Sequence, residues 1–472
     1  MATATHDKDR ADQAELNEFV VESAHVDLVT AVLGDYIEPP EPSQDARLGL
    51  TLVTLRQPRE AAERVFDLRR DRAEARKDES GPHRPAPERS RDGWTDLDKV
   101  VDDLRAVFEL NYNGWAPQLG KNRYIHGVQF VTYPNAGGAS GPTDDHNPDT
   151  YPNAGGLNAP TDASNGAARM REFASETSQT AGRGVLVGLP DTRLTEHPDL
   201  TGCYFTGGPR SRLMVESDKG GKAFSYVDGH CTFLASLILR KAPAARLDIR
   251  PVLERPADRA ADLSVWRAAN ELVGYLDSGV EVINLSWACY TRDGKSPLVL
   301  SRAIALLAPR ILVVAAAGNH GAQPPGGPAR GEFPDRGAPA YPAALPDVTA
   351  VGALDRDLPA EFNPTDDHGR PRNGTRPLAP WIDLLAPGVD VVGAYFGYDP
   401  KSRSVDVPDP ATQPPTLTPK TFSGYATWSG TSFAAANVTG AVAARMTAGG
   451  SARDALERVL DEQAWGIRRA RQ

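Results

Sequence analysis

The chain has 472 residues, of which 40% are hydrophobic and 24% are charged, and its formal net charge is −10. The length allows one large domain with an appendage, or two to three domains of ordinary size, and the composition excludes a chain that is disordered throughout. The acidic balance argues against a general nucleic-acid binder, because phosphate binding needs a basic surface. No uncharged apolar run approaches 18 residues, so no membrane-spanning segment is predicted.

The cysteine content and the start of the sequence bear on location. The three cysteines, Cys203, Cys231 and Cys289, are an odd and sparse set that suits a reducing compartment rather than a disulfide framework. The first residues lack the apolar region of a secretory signal. We therefore expect a cytoplasmic protein.

The first part of the chain, residues 18–110, predicts a small α+β region. In chain order it contains the apolar start "FVV", the helical "VDLVTAVLGDY", the strand-like "LGLTLVTL" and the helices "REAAERVFDLRRDRAEARK" and "DLDKVVDDLRAVFEL". The first of these two helices mixes Arg and Lys with Asp and Glu, which indicates a solvated face rather than a binding patch. Residues 1–17 are expected to form a disordered tail, and the stretch 78–93, rich in Pro, Gly, Ser and charge, a linker.

Residues 111–181 are expected to form an irregular connection. Most of this stretch is rich in Gly, Asn, Pro, Asp and Thr. The hexapeptide "YPNAGG" occurs at 133–138 and again at 151–156. Two copies do not make a solenoid, and no chemistry is assigned to them.

From residue 182 to residue 448, short apolar strands alternate with amphipathic helices. The strands are "VLVGL", "LDIRPVL", "EVINLS" and "ILVVAAA", and the helices include "CTFLASLILRK", "SVWRAANELVGYLDSG" and "PLVLSRAIALLA". This alternation predicts an α/β fold, a doubly wound and mainly parallel sheet with helices on both faces. Residues 449–472 are expected to be a helical extension. Active residues of such folds gather at the carboxyl ends of the strands.

Three polar residues lie at such strand ends or at helix starts. Asp191 ends the strand of "GVLVGLPDT", His230 opens the helix of "DGHCTFLASLI" and Ser432 opens the helix of "WSGTSFAAANVTGAVAARM". Each alone is typical of a structural role, such as a turn former, a structural histidine or an N-cap. Their order along the chain, Asp then His then Ser, is one of three orders known for hydrolases with a Ser-His-Asp triad.

The surrounding segments resemble a known family. "HCTFLAS", "AAAGNHG" and "SGTSFAAANVTG" are similar, in the same order, to diagnostic segments of the subtilase family of serine peptidases. "VEVINLSW", "AYPAALPDVTAVGAL" and "DLLAPGVDVV" resemble its supporting segments. The resemblance covers roughly residues 182–448 and implies a subtilisin-like fold and a serine endopeptidase.

The resemblance also implies a role for each site residue. Ser432 would be the nucleophile, His230 the base that activates it, and Asp191 the carboxylate that orients the imidazole. Asn319, in "AAAGNHG", falls where the family carries the side-chain amide of its oxyanion hole, with the backbone N–H of Ser432 as second donor. Without its neighbours, Asn319 would be interpreted as a turn residue.

The expected substrate is a protein or peptide that lies as an extended strand between residues 284–288 and residues 315–318. Ala340 stands where the family often has Gly and would narrow the first specificity pocket. Trp287 either walls a neighbouring subsite or belongs to the core. The residues expected to line this cleft are Ser286, Trp287, Ala288, Ala316, Ala317, Gly318 and Ala340.

The sequence departs from the family pattern without removing any of the proposed catalytic residues. Cys231 and Phe233 replace a Gly and a second His of "HGTH", and Ala436 and Asn437 replace a Pro and a His after the nucleophile. Cys231, beside the base, is either a small buried hydrophobe or a source of sensitivity to thiol reagents.

No cofactor is required by the predicted chemistry. Many subtilases bind structural Ca²⁺, and the oxygen-rich loops 142–149 and 363–369 are candidates for such a site or are simply solvated loops.

Two further hypotheses remain beside an active, selective processing peptidase. The chain could be a catalytically silent, subtilase-like scaffold that binds a peptide. Residues 18–110 could behave like the family's propeptide, which aids folding and inhibits the enzyme.

Overall fold

The computed structural model describes most of the chain outside its first residues and several loops. The described residues are 17–76, 91, 93–127, 160–206, 224–253, 264–291, 294–321, 336–366, 377–397, 404–408, 417–446 and 450–470. The expected tail 1–17 and linker 78–93 lie almost entirely outside them, and both copies of "YPNAGG" lie wholly outside.

Helices and strands follow the predicted pattern closely. The helices are α1 (Val26–Leu33), α2 (Pro58–Ala75), α3 (Asp96–Asn111), α4 (Gly166–Glu176), α5 (His230–Lys241), α6 (Val265–Val273), α7 (Leu298–Leu307), α8 (Thr431–Arg445) and α9 (Ala452–Asp461). The strands up to the middle of the chain are β1 (Glu18–Glu22), β2 (Glu41–Pro42), β3 (Leu50–Thr54), β4 (Leu119–Lys121), β5 (His126–Gly127), β6 (Thr161–Asp162), β7 (Leu186–Asp191), β8 (Tyr204–Thr206), β9 (Phe224–Ser225), β10 (Arg246–Pro251), β11 (Val282–Leu285) and β12 (Trp287–Tyr290). The remaining strands are β13 (Leu312–Ala316), β14 (Ala340–Tyr341), β15 (Thr349–Asp355), β16 (Leu358–Pro359), β17 (Leu384–Pro387), β18 (Val391–Ala394), β19 (Ser404–Pro408), β20 (Leu417–Thr421), β21 (Tyr425–Trp428) and β22 (Arg468–Arg469).

The chain divides into two compact units. The first unit comprises Met1–Tyr124, Ser264–Val273 and Pro297–Leu306, and the second comprises Ile125–Leu263, Gly274–Ser296 and Leu307–Gln472.

The first unit is built on an antiparallel sheet with the order β2-β3-β1-β4. Its core is formed by apolar side chains of β1, β3 and helices α1 to α3, among them Phe19, Val53, Val65, Leu104 and Phe108. Helix α3 begins with a capping box, in which Thr95 and Asp98 satisfy each other's backbone N–H groups, so its start is fixed by sequence.

The charged face of α2 differs from the solvated face that the sequence suggested. Arg69 donates to the carboxylate of Asp103 at 2.6 Å, and Arg91 donates to the same carboxylate at 2.9 and 2.5 Å. Asp103 is fully buried. The alternating charges therefore include a buried ion cluster between α2 and α3, which sequence spacing alone does not reveal.

Two predicted boundaries need correction. The α+β region does not end at residue 110, because β4 adds to the sheet edge beside β1, with Gly120 opposite Val20. The stretch 111–181 is not irregular throughout, because it contains α4 and the short strands β5 and β6. Composition set these boundaries, and it underestimates short elements that are stabilised by pairing with distant strands.

The second unit contains the large sheet, with the order β22-β17-β15-β13-β11-β7-β10-β8. Neighbouring strands from β17 to β8 are parallel, whereas the edge strand β22 is antiparallel to β17. The expected C-terminal helical extension contains α9 but ends in β22.

The connections of this sheet reverse direction at β7. Along the chain, the next two strands of this sheet, β8 and β10, lie on one side of β7, and the strand after them, β11, lies on the other side. In open parallel sheets, a crevice forms at the carboxyl ends of the strands where the winding reverses. Asp191 is the last residue of β7, so the sheet places it at this crevice.

Helix α8 runs through the core of the second unit. Its residues from Thr431 to Ala443 are all buried, and it packs closely on α5. A Cβ atom at Gly440 would lie only 2.8 Å from the carbonyl oxygen of Ile238, so glycine permits this approach of the two helices.

Candidate active site

Asp191 and His230 form a buried pair. His230 Nδ1 lies 2.7 Å from Asp191 Oδ1, which also accepts a hydrogen bond from the backbone N–H of Thr192 at 2.8 Å. A carboxylate can only accept, so Nδ1 carries the proton and Nε2 presents its lone pair. Among the described residues Nε2 has no hydrogen-bond partner. The imidazole is therefore oriented as a base that is ready to accept a proton.

Ser432 lies in the first turn of α8, close to this imidazole. The ring of Phe433, the next residue, is centred 6.0 Å from the ring of His230. Ser432 Oγ donates a long, 3.4 Å hydrogen bond to the carbonyl of Ser286, and a bond to His230 Nε2 is not formed. Catalytic hydrogen bonds of this kind often tighten only when substrate binds.

Asn319 is anchored to the turn that carries Ser432. Its Oδ1 accepts hydrogen bonds from both the backbone N–H and the hydroxyl of Thr431, each at 2.9 Å. Thr431 Oγ1 in turn accepts from the backbone N–H of Gly318 at 3.2 Å. Thr431 was not singled out from the sequence, although it stands beside the nucleophile in "SGTSF". It fixes the plane of the amide that the resemblance assigns to the oxyanion hole.

A buried polar network lies beneath Ser432. Ser286 Oγ donates to the carbonyl of Ser432 at 3.2 Å and accepts from Asn284 Nδ2 at 2.8 Å, and Asn284 Oδ1 accepts from the hydroxyl of Thr439 at 3.1 Å. All four side chains are buried. Ser286, which we expected to line the cleft, thus directs its hydroxyl to the support of α8. Asn284 and Thr439 were missed although both stand in family-like segments, because their role depends on a contact between residues distant in the chain.

The strand expected to bind substrate already carries a partner strand. In β12, Trp287 lies opposite Gly127 and Ala288 opposite His126, both in the antiparallel strand β5. The other edge of β12 pairs with β14, which contains Ala340. A segment of this chain therefore occupies one main-chain edge of the strand to which the resemblance assigns substrate binding.

The side chain of Trp287 belongs to the core rather than to the surface of the cleft. It is fully buried, and its Nε1 donates to the carbonyl of Pro190 at 3.0 Å. Since Pro190 precedes Asp191, the indole also holds the end of β7 in place.

The other predicted cleft residues lie beside the same crevice. Ala316 ends β13, Ala317 and Gly318 follow it, and Ala340 begins β14. All three alanines are buried, and Gly318 adopts a positive φ of 112° that favours glycine.

His320 is a buried residue of this region that the sequence reasoning did not single out. Its Nε2 lies 3.0 Å from the carbonyl oxygen of Ala338, and its Nδ1 lies 3.3 Å from the hydroxyl of Tyr290. Burial lowers the pKa of His320 to about 4, against the smaller opposing effect of the bond to Ala338. The imidazole is therefore neutral near pH 7 and adds no charge to this side of the cleft.

Aromatic packing explains one departure from the family pattern. Phe233, in place of a second histidine, packs against Phe433 with ring centroids 4.5 Å apart and against Trp428 at 5.6 Å. Trp428 also contacts the ring of His230 at 5.9 Å. Cys231 is fully buried, which favours its interpretation as a small hydrophobe.

The hydrogen bonds of Asn437 explain a second departure from the family pattern. Its Oδ1 accepts from Lys241 Nζ at 2.6 Å and from Arg240 at 3.3 Å, while its Nδ2 donates to the carbonyl of Pro387 at 2.8 Å. An asparagine can accept and donate at once, and here it connects α8 to α5 and to β17.

The structure describes only residues 363–366 of one candidate calcium loop, and the first of them binds a neighbouring strand. Asn363 uses both side-chain atoms on the backbone of Ala353, accepting at 2.7 Å and donating at 2.8 Å. Across the described ranges, no group of three or more His, Cys, Asp or Glu residues comes together. The loop 142–149 lies outside the described residues.

None of the helices in the described ranges combines the length and the apolar content needed to cross a bilayer.

Comparison with known proteins places the chain in a family. The model of the subtilase family matches residues 182–460, more than half of the chain. The chain belongs to the subtilase family. It is therefore a subtilisin-like serine protease, a hydrolase that acts on peptide bonds. The match begins where the sequence predicted and extends to residue 460 rather than 448.

Relatives and one solved structure agree with this assignment. The chain is 28% identical to Subtilisin Savinase of Lederbergia lenta over 284 residues, which cover 59% of this chain and 82% of that one. It is 27% identical to an intracellular serine protease of Paenibacillus polymyxa, over 56% of this chain and 68% of that one. The structure of fervidolysin from Fervidobacterium pennivorans matches with a TM-score of 0.50 at 16% identity, over 92% of this chain and 57% of that one, which supports the predicted α/β fold.

Proposed function

We propose that this subtilase is an endopeptidase that cleaves peptide bonds through an acyl-enzyme on Ser432. The observation that carries the proposal is the 2.7 Å contact between His230 and Asp191, which leaves the imidazole Nε2 unengaged beside the first turn of α8. A serine hydroxyl is a weak nucleophile until a base accepts its proton, and Nε2 is the base that this geometry offers.

The proposed reaction proceeds in two stages. His230 removes the proton of Ser432 Oγ as this oxygen attacks the scissile carbonyl, and the imidazolium then protonates the leaving amine. Water, activated by the same imidazole, hydrolyses the ester. Asp191 holds the tautomer and stabilises the imidazolium in both stages.

The negative charge that develops on the carbonyl oxygen is assigned to two donors. One is the side-chain amide of Asn319, whose orientation is supported by its two bonds to Thr431. The other is the backbone N–H of Ser432 at the start of α8, where the positive end of the helix dipole favours an anion.

The proposed substrate is a protein or peptide that pairs with β12 as an extended strand. We propose selective processing of a dedicated substrate, such as a precursor peptide, rather than bulk digestion. The neutral His320 and the small Ala340 support a cleft that takes an uncharged side chain of limited size. The cytoplasmic location that we propose draws on the cysteines, all three of which are free.

The direct test compares peptide hydrolysis by the full chain with that of two matched variants. Ser432→Ala should abolish turnover and the burst of product from an activated ester, because no acyl-enzyme can form. Ser429→Ala, in the same segment, should retain most of the activity, because its hydroxyl accepts a bond from the backbone N–H of Asp390 and is assigned no part in the proposed reaction. Equal turnover by all three proteins would refute the proposed nucleophile.

The alternative of a silent peptide-binding scaffold is favoured by one observation, the strand β5 that is already paired with β12. A scaffold would bind peptides without hydrolysing them, and Ser432→Ala would change neither property.

We further propose that the N-terminal region inhibits the site as a propeptide does. The sheet of the first unit lies on two helices from the family-matched part of the chain, with Asn122 Oδ1 accepting from the backbone N–H of Trp266 at 3.0 Å and Arg302 donating to Gln118 at 3.0 Å. Downstream of it, β5 supplies the strand that pairs with β12.

This inhibition predicts that activity and the N-terminal sequence change together. On incubation, the purified full chain should gain peptidase activity as its N-terminus shifts to a position beyond Gly127, whereas Ser432→Ala should stay intact. Full activity in a chain whose N-terminal region remains attached and uncut would contradict the inhibitory role.

A further inference from the structure

We propose that a cavity in the second unit, at the ends of α5 and α8 away from the catalytic residues, binds a phosphate group. The cavity has a volume of about 580 Å³. The residues whose side chains carry the argument are Ser178, Thr180, Arg183, Lys241, Arg445 and Trp465.

Lys241 is the central feature of this cavity. Its side chain is buried, and its Nζ donates to the neutral amide oxygen of Asn437 at 2.6 Å. Within the described residues, no carboxylate pairs with it. Burial, reinforced by the neighbouring charge of Arg240, lowers the pKa of Lys241 well below its usual value. A buried ammonium without a counter-charge is unfavourable, and an anion in the cavity would supply that charge.

The other basic residues add to the positive potential. Arg183 is exposed at the cavity, and among the described residues its guanidinium has no carboxylate partner. Arg445 is paired with Glu462 at 2.8 Å, so this pair contributes little net charge. Two basic side chains without a carboxylate partner among the described residues therefore line one cavity, which is the arrangement expected for an oxyanion site.

The indole of Trp465 is held over the cavity by an unusual backbone. Trp465 has a φ of 55° and Gln463 a φ of 46°, a conformation that bulky residues rarely adopt. The ring lies 4.7 Å from the guanidinium of Arg445 and 5.7 Å from Nζ of Lys241. Such backbone strain persists where the surrounding structure enforces it and is common in ligand clamps.

Hydroxyl groups make a phosphate the best match among oxyanions. Ser178 and Thr180 line the cavity, and their hydroxyl oxygens share a hydrogen bond at 3.0 Å, so one hydroxyl donates to the other and the second keeps its proton for a ligand. A phosphate group has enough oxygens to accept from a lysine, an arginine and a hydroxyl at once. The cavity is larger than inorganic phosphate, which leaves room for an organic group beside the indole.

The position of the cavity separates it from substrate binding. Helix α5 begins with His230 and ends with Lys241, and α8 begins beside Ser432 and ends with Arg445. At the rise of an α-helix, about 1.5 Å per residue, these lengths place the cavity about 16–20 Å from His230 and Ser432.

Thermal unfolding of the full chain carrying Ser432→Ala tests the proposal, and it reads binding independently of peptidase activity. We expect sodium phosphate to raise the melting temperature by about 2–4 °C over sodium chloride of equal ionic strength. Titration calorimetry with inorganic phosphate should show saturable binding.

Adding Lys241→Met should abolish both effects. In chloride this variant should melt at or above the temperature of its parent, because an apolar side chain replaces an uncompensated buried cation, and this result shows that it folds. Arg310→Gln, at an exposed arginine outside the cavity, should keep the full response to phosphate.

Two results would overturn the proposal. One is a parent protein whose melting temperature is the same in phosphate and in chloride. The other is a response to phosphate that survives Lys241→Met, since the anion would then bind elsewhere.

Discussion

At the scale of single residues, the proposed oxyanion site depends on the plane of one amide. The two bonds from Thr431 engage Oδ1 of Asn319, so the amide nitrogen must point to the opposite side. Because Thr431 precedes Ser432, one turn of chain carries the proposed nucleophile, its proposed backbone donor and the residue that orients the proposed second donor.

Replacement of Asn319 tests this donor. We expect Asn319→Ala to lower the turnover number about 10²–10³-fold, equivalent to about 2.7–4 kcal/mol, with little change in KM. Circular dichroism should show a folded protein. An unchanged turnover number would remove Asn319 from the mechanism.

Replacement of Thr431 tests whether this residue positions the side-chain amide of Asn319. Thr431→Val keeps the shape of the side chain but removes its hydroxyl, so we expect a fall in kcat of about tenfold, smaller than that of Asn319→Ala. In the double variant the two effects should not add, because Thr431 acts through Asn319. Additive losses would show that Thr431 affects catalysis by another route.

His320 links the cleft to the pH dependence of stability. Its pKa in the folded protein, about 4, lies below its ordinary value of 6.5, so the unfolded chain binds a proton first as pH falls. The contribution of His320 to stability is therefore complete above pH 6.5 and is lost between pH 6.5 and about 4, by about 3 kcal/mol in all.

Urea unfolding in the Ser432→Ala background measures this contribution. The loss of stability on acidification should be smaller in a further variant, His320→Gln, than in the parent. The same pH dependence in both proteins would contradict the assignment of a neutral, buried His320.

The identities of the proposed site residues came most readily from the sequence and stay a prediction. Asp191, His230, Ser432 and Asn319 could all be named from short strings, because each stands at a strand end or helix start with characteristic neighbours. Thr431 and His320 stand in the same strings, but their roles depend on side-chain contacts with distant residues. Likewise, the sequence left Trp287 between core and subsite, and only its buried contact with Pro190 favours the core.

At the scale of elements, the two helices that carry His230 and Ser432 are kept in register by a close backbone approach. Alanine is favoured over glycine inside a helix by about 1 kcal/mol, so propensity alone predicts that Gly440→Ala stabilises the protein. The added Cβ would instead meet the carbonyl oxygen of Ile238 at 2.8 Å. We expect a net destabilisation of about 1–3 kcal/mol, measured by thermal unfolding. A stabilised variant would contradict the packing of α5 on α8.

The ion cluster between α2 and α3 makes a second prediction at this scale. Asp103→Asn removes a buried charge from two arginines and should destabilise the first unit by about 3 kcal/mol. The adjacent Asp102, 44% exposed and 3.6 Å or more from the same arginines, provides the control.

Asp102→Asn should lower the free energy of unfolding of the first unit by less than about 1 kcal/mol. Hydrogen exchange of the α3 amides measures the stability of the first unit directly. Equal effects of the two variants would contradict the buried ion cluster.

The elements themselves could be predicted to within a few residues, because hydrophobic periodicity is a local property. Helices α3 and α5 and strands β7 and β11 lie where their patterns placed them. Pairing is not local, however. Nothing in the two residues of β5 indicates that they lie against Trp287 and Ala288, and β4 is recognisable as a strand only beside β1.

At the scale of the whole molecule, the two units were only partly anticipated. The alternation of strands and helices, together with the motifs, delimited the family-matched part. The end of the α+β region, expected at residue 110, could not be located in this way, since composition changes gradually there. The two units are also not consecutive segments of the chain. Helices α6 and α7 belong to the first unit, although they lie within the part that matches the family.

The central claim is that Asp191, His230 and Ser432 act as one catalytic group. Reaction with a fluorophosphonate, followed by peptide mass mapping, tests it most directly. The account predicts a single adduct on the peptide that contains Ser432, lost in Ser432→Ala and strongly slowed in His230→Ala. Absence of this adduct, both in the full chain and in any shorter form that arises from it on incubation, would contradict the claim.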